Sequence, residues 1–271
     1  MAAPQQISRS LAATALTSAL LLSACSSTPA DGPDSAGPGA EGPSSAVFTL
    51  VLLRTGESPP ALEPDRRSEL SAGHFAFMGE QAEAGRLLVA GPFGFDKSHE
   101  DLRGLFLFDI EDVDAALELS RQDPTTQAGV FRQEALSLAT LDILRDLPAA
   151  ERARQERREA AGEDMTKPDI RPYVVFVAED GERAVDVIAH PALAPSVVLF
   201  GRLGPPRDGA LFAVCAIESA DEAKARLAIA NEAGLAFEVS DWLATPALLA
   251  LVGLDGDGGA QEPPPTISPS K

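Results

Sequence analysis

Three histidines and two cysteines are the side chains whose chemistry lies closest to neutral pH, and their surroundings sort them. An imidazole, with an unperturbed pKa of about 6.5, can take or give a proton there, and a neighbouring carboxylate fixes its tautomer. His74 falls in a stretch where Leu70, Phe75 and Met78 recur at helical spacing. His99 sits in the polar run Lys97-Ser98-His99-Glu100, where a solvated ring is expected, and His190 precedes Pro191 in a turn. Cys215 follows Val214 in an apolar run and reads as a small buried side chain. The P-loop, dinucleotide-binding, zinc-protease, C-x-x-C and nucleophile-elbow motifs are absent from the sequence. Dispersed histidines argue against a structural zinc, so neither a metal nor a cofactor is expected.

Cys25 is different. Residues 11–22 form an apolar run of about 12 residues, behind a short segment whose charge is Arg9. That is too short for the roughly 20 residues of a membrane-spanning helix and right for the apolar core of a signal peptide. It ends Leu22-Ser23-Ala24-Cys25, which resembles a bacterial lipobox. The resemblance implies a diacylglyceryl thioether on Cys25, cleavage before it and acylation of the new amine. Several acyl chains anchor stably where one does not. Residues 26–45, rich in Ser, Pro, Gly and Ala, bury nothing and should tether a domain to the membrane surface. With Cys25 acylated, Cys215 has no disulfide partner.

The 271 residues carry 41 acidic and 22 basic side chains, a formal net charge of −19. Such a polyanion gains nothing from a phosphate backbone, so nucleic acid is excluded as a partner. Aromatics are 5% against 45% hydrophobic residues, which points to aliphatic cores.

Self-similarity organises the middle of the chain. The run at 85–94 (GRLLVAGPFG) has a counterpart at 195–204 (PSVVLFGRLG), and 104–111 (GLFLFDIE) one at 210–218 (ALFAVCAIE). Ala128-Gly129-Val130-Phe131 is echoed by Ala233-Gly234-Leu235-Ala236. Each copy opens on an apolar run, 47–53 and 173–178, and the coarse order in each is strand, helix, strand, strand, helix, strand. Gly85 should stop the first helix, Asp112 should cap the second, and Ser219 with Glu222 forms a capping-box pattern. This βαββαβ order is ferredoxin-like, with helices on one face of the sheet and an apolar bare face that something must cover. The expected layout is a signal peptide (1–24), a lipidated Cys25 and tether (25–45), a first module (46–146), a charged linker helix (147–168), a second module (169–253) and a low-complexity tail (254–271). In the linker, Glu151 with Arg154 and Arg152 with Glu156 have the spacing of helical ion pairs.

The first copy carries helical His74, the run Gly85 to Pro92, and Asp123-Pro124 followed by Gln127-Ala128-Gly129-Val130. In these it resembles the YCII-related family. The resemblance implies a dimeric α+β barrel, in which two ferredoxin-like units pack sheet against sheet. A tandem pair would build that barrel within one chain, so the expected fold class is α+β, two βαββαβ modules paired intramolecularly. It also implies a His–Asp site between helix and sheet. The histidine is His74, and the carboxylate is Asp123 of the Asp-Pro dipeptide or Asp96 just after the Ala-Gly-Pro turn. Asp123 as a plain turn residue before Pro124 stands as an equal reading. The second copy lacks the Asp-Pro dipeptide, and His190 is not equivalent to His74, so the second module is expected to be degenerate.

The functional expectation is a lipid-anchored protein of the bacterial cell envelope, partnered with the membrane through Cys25. Its domain would use His74 and an aspartate for acid–base chemistry on a small molecule. A non-catalytic ligand-binding or scaffold lipoprotein is the alternative.

Overall fold

A strand with no polar face has to be buried on both sides, and the first strand shows how. The computed structural model describes residues 44–254. In β1 (Ser45–Thr55) every residue from Phe48 to Leu53 is buried. Alternate side chains go to opposite faces of a strand. Phe48, Leu50 and Leu52 enter one cluster, while Val51 and Leu53 enter another beneath helices. Thr49, on the helix side, donates its hydroxyl to the Ile110 carbonyl at 2.7 Å.

The chain continues through α1 (Pro64–Glu83), β2 (Leu87–Pro92), β3 (Leu102–Phe108), α2 (Val113–Ser120), the four-residue α3 (Pro124–Gln127) and β4 (Phe131–Leu141). Proline opens α1, and Gly85 ends it in the left-handed conformation (φ +70°), with the Arg86 amide donating back to the Gln81 carbonyl. Asp112 caps α2, accepting from the amides of Asp114 and Ala115. The face α1 buries runs through Leu70, Phe77 and Gln81, with His74 partly buried between them. Phe75, expected in that stripe, is 64% exposed. It lies one residue from His74, about 100° around the helix, and so off the buried face.

A 3-10 turn (Asp142–Asp146) and α4 (Leu147–Ala160) lead to β5 (Arg171–Ala178), α5 (Gly181–Ile188), β6 (Val197–Leu203), β7 (Leu211–Cys215), α6 (Ala220–Ala230) and β8 (Glu238–Ala244). A final 3-10 segment spans Pro246–Val252. Ser219 caps α6 through the Glu222 amide at 3.2 Å.

All eight strands join one antiparallel sheet, ordered β2-β3-β1-β4-β6-β7-β5-β8. Each half has the ferredoxin-like order, and the halves meet where β4 pairs with β6 at Leu138↔Leu203 and Ala139↔Arg202. The far edges approach too. Phe93 bridges Trp242, the indole Nε1–H donates to the Gly91 carbonyl at 3.1 Å, and the Gly94 amide donates to Asp241 at 2.8 Å. The sheet is therefore a nearly closed barrel, and the apolar face that each half would leave bare becomes a shared interior. Leu50, Leu52, Leu105 and Leu136 of the first half meet Tyr173, Val175, Phe212 and Trp242 of the second. Each such burial contributes about 1.5–3 kcal/mol. One end is plugged by Leu144, Leu147, Leu248 and Leu249. Near Arg54 and Arg207 a cavity of about 20 Å³ remains, room for a single water.

The charged stretch between the halves forms α4, and its side chains find partners. Its Glu151 accepts from the Thr245 hydroxyl and Gln155, and Arg154 forms a bidentate pair with Asp169 at 2.6 and 3.1 Å. Leu147 anchors α4 on the barrel end and so brings Glu151 to Thr245 and Arg154 to Asp169. The Arg154 hydrogen bond, aided by Arg158, holds the Asp169 carboxyl below its usual value. A depressed carboxylate stabilises the fold above its unfolded pKa and loses that contribution as pH falls through the folded value. Asp169→Asn should therefore lower stability by about 1 kcal/mol at pH 7 in urea titrations, with the difference vanishing in strong acid.

Cys25, the expected signal peptide, the expected tether up to residue 43 and the tail after residue 254 lie outside the described residues. Among the described residues no helix is long and apolar enough to cross a membrane.

Candidate active site

His74 faces the sheet because α1 places residues 70, 74, 77 and 81 along one side, and its ring lies over the aromatic floor of β3 and β4. The imidazole stacks on Phe106 (5.8 Å between centroids) and meets the edges of Phe131 (6.0 Å) and Phe75 (5.7 Å). Its side chain is 16% exposed. Nδ1 lies 2.7 Å from Oδ2 of Asp123, whose side chain is fully buried. A carboxylate only accepts, so Nδ1 carries the proton and Nε2 presents its lone pair. Nε2 has no hydrogen-bond partner among the described residues.

Asp123 holds two positions at once. Its Oδ1 caps α3, accepting from the Thr125 amide and hydroxyl at 2.9 Å each, while Oδ2 accepts from the His74 Nδ1–H. Asp123 of the Asp-Pro dipeptide thus caps the turn and lies beside the imidazole at once. The sequence signal for the cap was Asp before Pro; nothing within a few residues of Asp123 signalled that its second oxygen would meet His74. Burial and three hydrogen bonds leave the carboxylate one orientation, which orients the ring.

Asp96 is not part of this arrangement. The loop after β2 leaves the first half and runs along β8, so the Asp96 carbonyl accepts from the Asp241 amide at 2.7 Å and its carboxylate pairs with Lys224 at 2.6 Å. The same crossing that closes the barrel carries Asp96 to α6. His99 is half exposed, with Nε2 3.4 Å from Glu238. His190 Nδ1 accepts from the Ala192 amide at 3.1 Å within its turn. Cys215 is buried, and burial pushes its thiol up to about 12, which makes it unreactive. Among the described residues no cluster of His, Cys, Asp and Glu is placed to hold a metal ion.

Residues 49–140 match the model of the YCII-related domain. That stretch contains β1 through most of β4 and both members of the His74–Asp123 pair. No curated protein matches the chain. Among solved structures, the siroheme decarboxylase NirDL is 12% identical, with 74% of this chain and 71% of that one covered and a TM-score of 0.40. A protein proposed to be a monooxygenase, from Lactobacillus acidophilus NCFM, is also 12% identical, covering 73% of this chain and 93% of its own, with a TM-score of 0.38.

Proposed function

We propose that this chain is a lipid-anchored protein of the bacterial cell envelope whose YCII-related segment performs acid–base chemistry on a small molecule. The observation that carries the catalytic part is the 2.7 Å contact between His74 Nδ1 and a fully buried Asp123, with no partner for Nε2 among the described residues. Nε2 takes a proton from an acidic C–H or O–H of the substrate. The resulting imidazolium keeps its Nδ1–H on the Asp123 carboxylate, which stabilises the charge, and Nε2–H then returns the proton to another substrate atom. The aromatic rings of Phe106, Phe131 and Phe75 supply apolar contact around the reacting edge. The second half, in which His190 is tied to its own turn, serves in this reading as a duplicated partner that completes the barrel. The lipobox-like run ending at Cys25 and the polar stretch after it support the anchor.

Two measurements test the two parts. Small molecules with acidic C–H bonds, incubated in D2O, should exchange those protons in the presence of the protein. His74→Gln should slow that exchange by about 10²–10⁴-fold. Saturable binding with no exchange, indifferent to His74→Gln, would make the segment a ligand-binding module instead. For the anchor, the full chain expressed in a bacterial host should partition with membranes and carry labelled fatty acid, and Cys25→Ser should abolish both. A chain that stays membrane-bound and labelled after Cys25→Ser removes the lipid assignment.

A further inference from the structure

The helix-covered face of β4 reads Phe131, Gln133, Ala135, and the glutamine stands where the apolar alternation calls for another hydrophobic residue. Its register partner on β1 is Leu53, which packs in that same cluster. The side chain Nε2 donates to the Ser120 carbonyl at the end of α2 and to the Thr126 hydroxyl in α3, both at 2.9 Å. These two groups flank Asp123. The Asp123 amide donates to the same Ser120 carbonyl at 3.1 Å, and the Asp123 carbonyl accepts from the Thr126 amide at 3.0 Å.

The orientation of this amide has one solution. Ser120 offers a carbonyl, which only accepts, so a flipped amide would set oxygen against oxygen. In the orientation adopted, Gln133 Oε1 is buried without a partner among the described residues, and so is the neighbouring Ser120 hydroxyl. Buried polar atoms are rarely left so. A methionine or leucine would fill the site without that penalty, so the amide contributes through what its N–H groups hold.

We propose that Gln133 is a positioning residue: it clamps the α2–α3 corner onto β4 and thereby holds Asp123 at hydrogen-bond distance from His74. The inference rests on the reading of His74 and Asp123 as a working pair. Asp123 sits on a four-residue helix, too short to hold itself in place. The strand is the rigid element, and Gln133 is the side chain that transmits its position to both flanks of the aspartate.

Nitrogen-resolved NMR of the imidazoles, at a pH where His74 is neutral, tests this without a substrate. In the wild-type chain His74 should show one tautomer, Nδ1–H, with a slowly exchanging, strongly downfield proton. In Gln133→Met that proton should broaden or vanish and the tautomers should mix, while the signals of His99 and His190 stay in place. Proton exchange into a responsive small molecule should fall by about 10- to 100-fold, as expected for a misplaced reacting group. Gln133→Asn, which keeps the amide but is one methylene short, gives the second readout and should show the same change to a smaller degree. Folded variants whose His74 signals match wild type overturn the proposal. Asp123→Asn is the separate control: if it too leaves the His74 signals unchanged, the pair itself is the failed premise.

Discussion

Gly91→Ala is expected to open the barrel seam and lower stability by about 3–5 kcal/mol, a loss reserved for backbone or core disruption. A Cβ at position 91 would lie 1.9 Å from the Leu243 carbonyl oxygen and 2.9 Å from the Trp242 indole nitrogen. The first obstacle is backbone, which cannot rotate away, so β2 and β8 must separate. Separation removes the indole hydrogen bond to the Gly91 carbonyl and uncovers an otherwise buried ring. Trp242 is the chain's single tryptophan, so its emission reports the seam directly. The expected result is a red shift under native conditions together with a lower urea midpoint. Gly79→Ala supplies the contrast, since an added Cβ there meets nothing within 4 Å in exposed α1. It should stabilise by about 0.5–1 kcal/mol, the helix-propensity gain alone. A Gly91→Ala chain with wild-type midpoint and emission would mean that the far edges do not close.

Asp123→Ala and Asp123→Asn should separate the two tasks of one carboxylate. Alanine removes the α3 cap, the Thr125 hydroxyl contact and the His74 acceptor together. Loss of a cap costs about 1 kcal/mol, and buried donors left without acceptors add to it. The expected total is about 2–4 kcal/mol in denaturant titration. Asparagine is itself a strong N-cap residue, so Asp123→Asn should stay within about 1 kcal/mol of wild type. It cannot stabilise an imidazolium as a carboxylate does, and any His74-dependent proton transfer should fall by about 10²–10⁴-fold. Equal stability losses in the two variants would show that the cap is not what Oδ1 supplies. Full activity in Asp123→Asn would show that the pair is not catalytic.

Much of the fold was written locally. The unbroken apolar run of β1 demanded cover on both faces, Gly85 and Asp112 marked helix ends, and Ser219 with Glu222 marked another. These are short-range signals, because caps, left-handed turns and strand alternation depend on residues within a few positions. The apolar bare face of each ferredoxin-like half likewise required a partner, and the eight-stranded sheet provides it within the chain. His74 and the Asp-Pro dipeptide stood out from the sequence as well, through the family pattern they share.

Tertiary structure decided the rest. Of the two candidate aspartates the one farther along the chain meets the imidazole, because the path of the loop after β2 takes Asp96 to Lys224 and leaves Asp123 to His74. That path follows from closure of the barrel across 150 residues, which no local pattern encodes. Phe75 and His74 are adjacent in sequence, yet the helix turns one outward and the other onto Phe106. Arg154 carries the spacing of a helical ion pair, yet its bidentate contact is to Asp169, which only the folded chain brings to the barrel end. Gln133 reads as an interruption of the strand's apolar alternation until the α2–α3 corner is folded over it. The sequence by itself determined which residues are able to do proton chemistry and which segments form strands and helices. Which carboxylate meets the imidazole, and what holds it there, was decided by contacts distant in the chain and near in space.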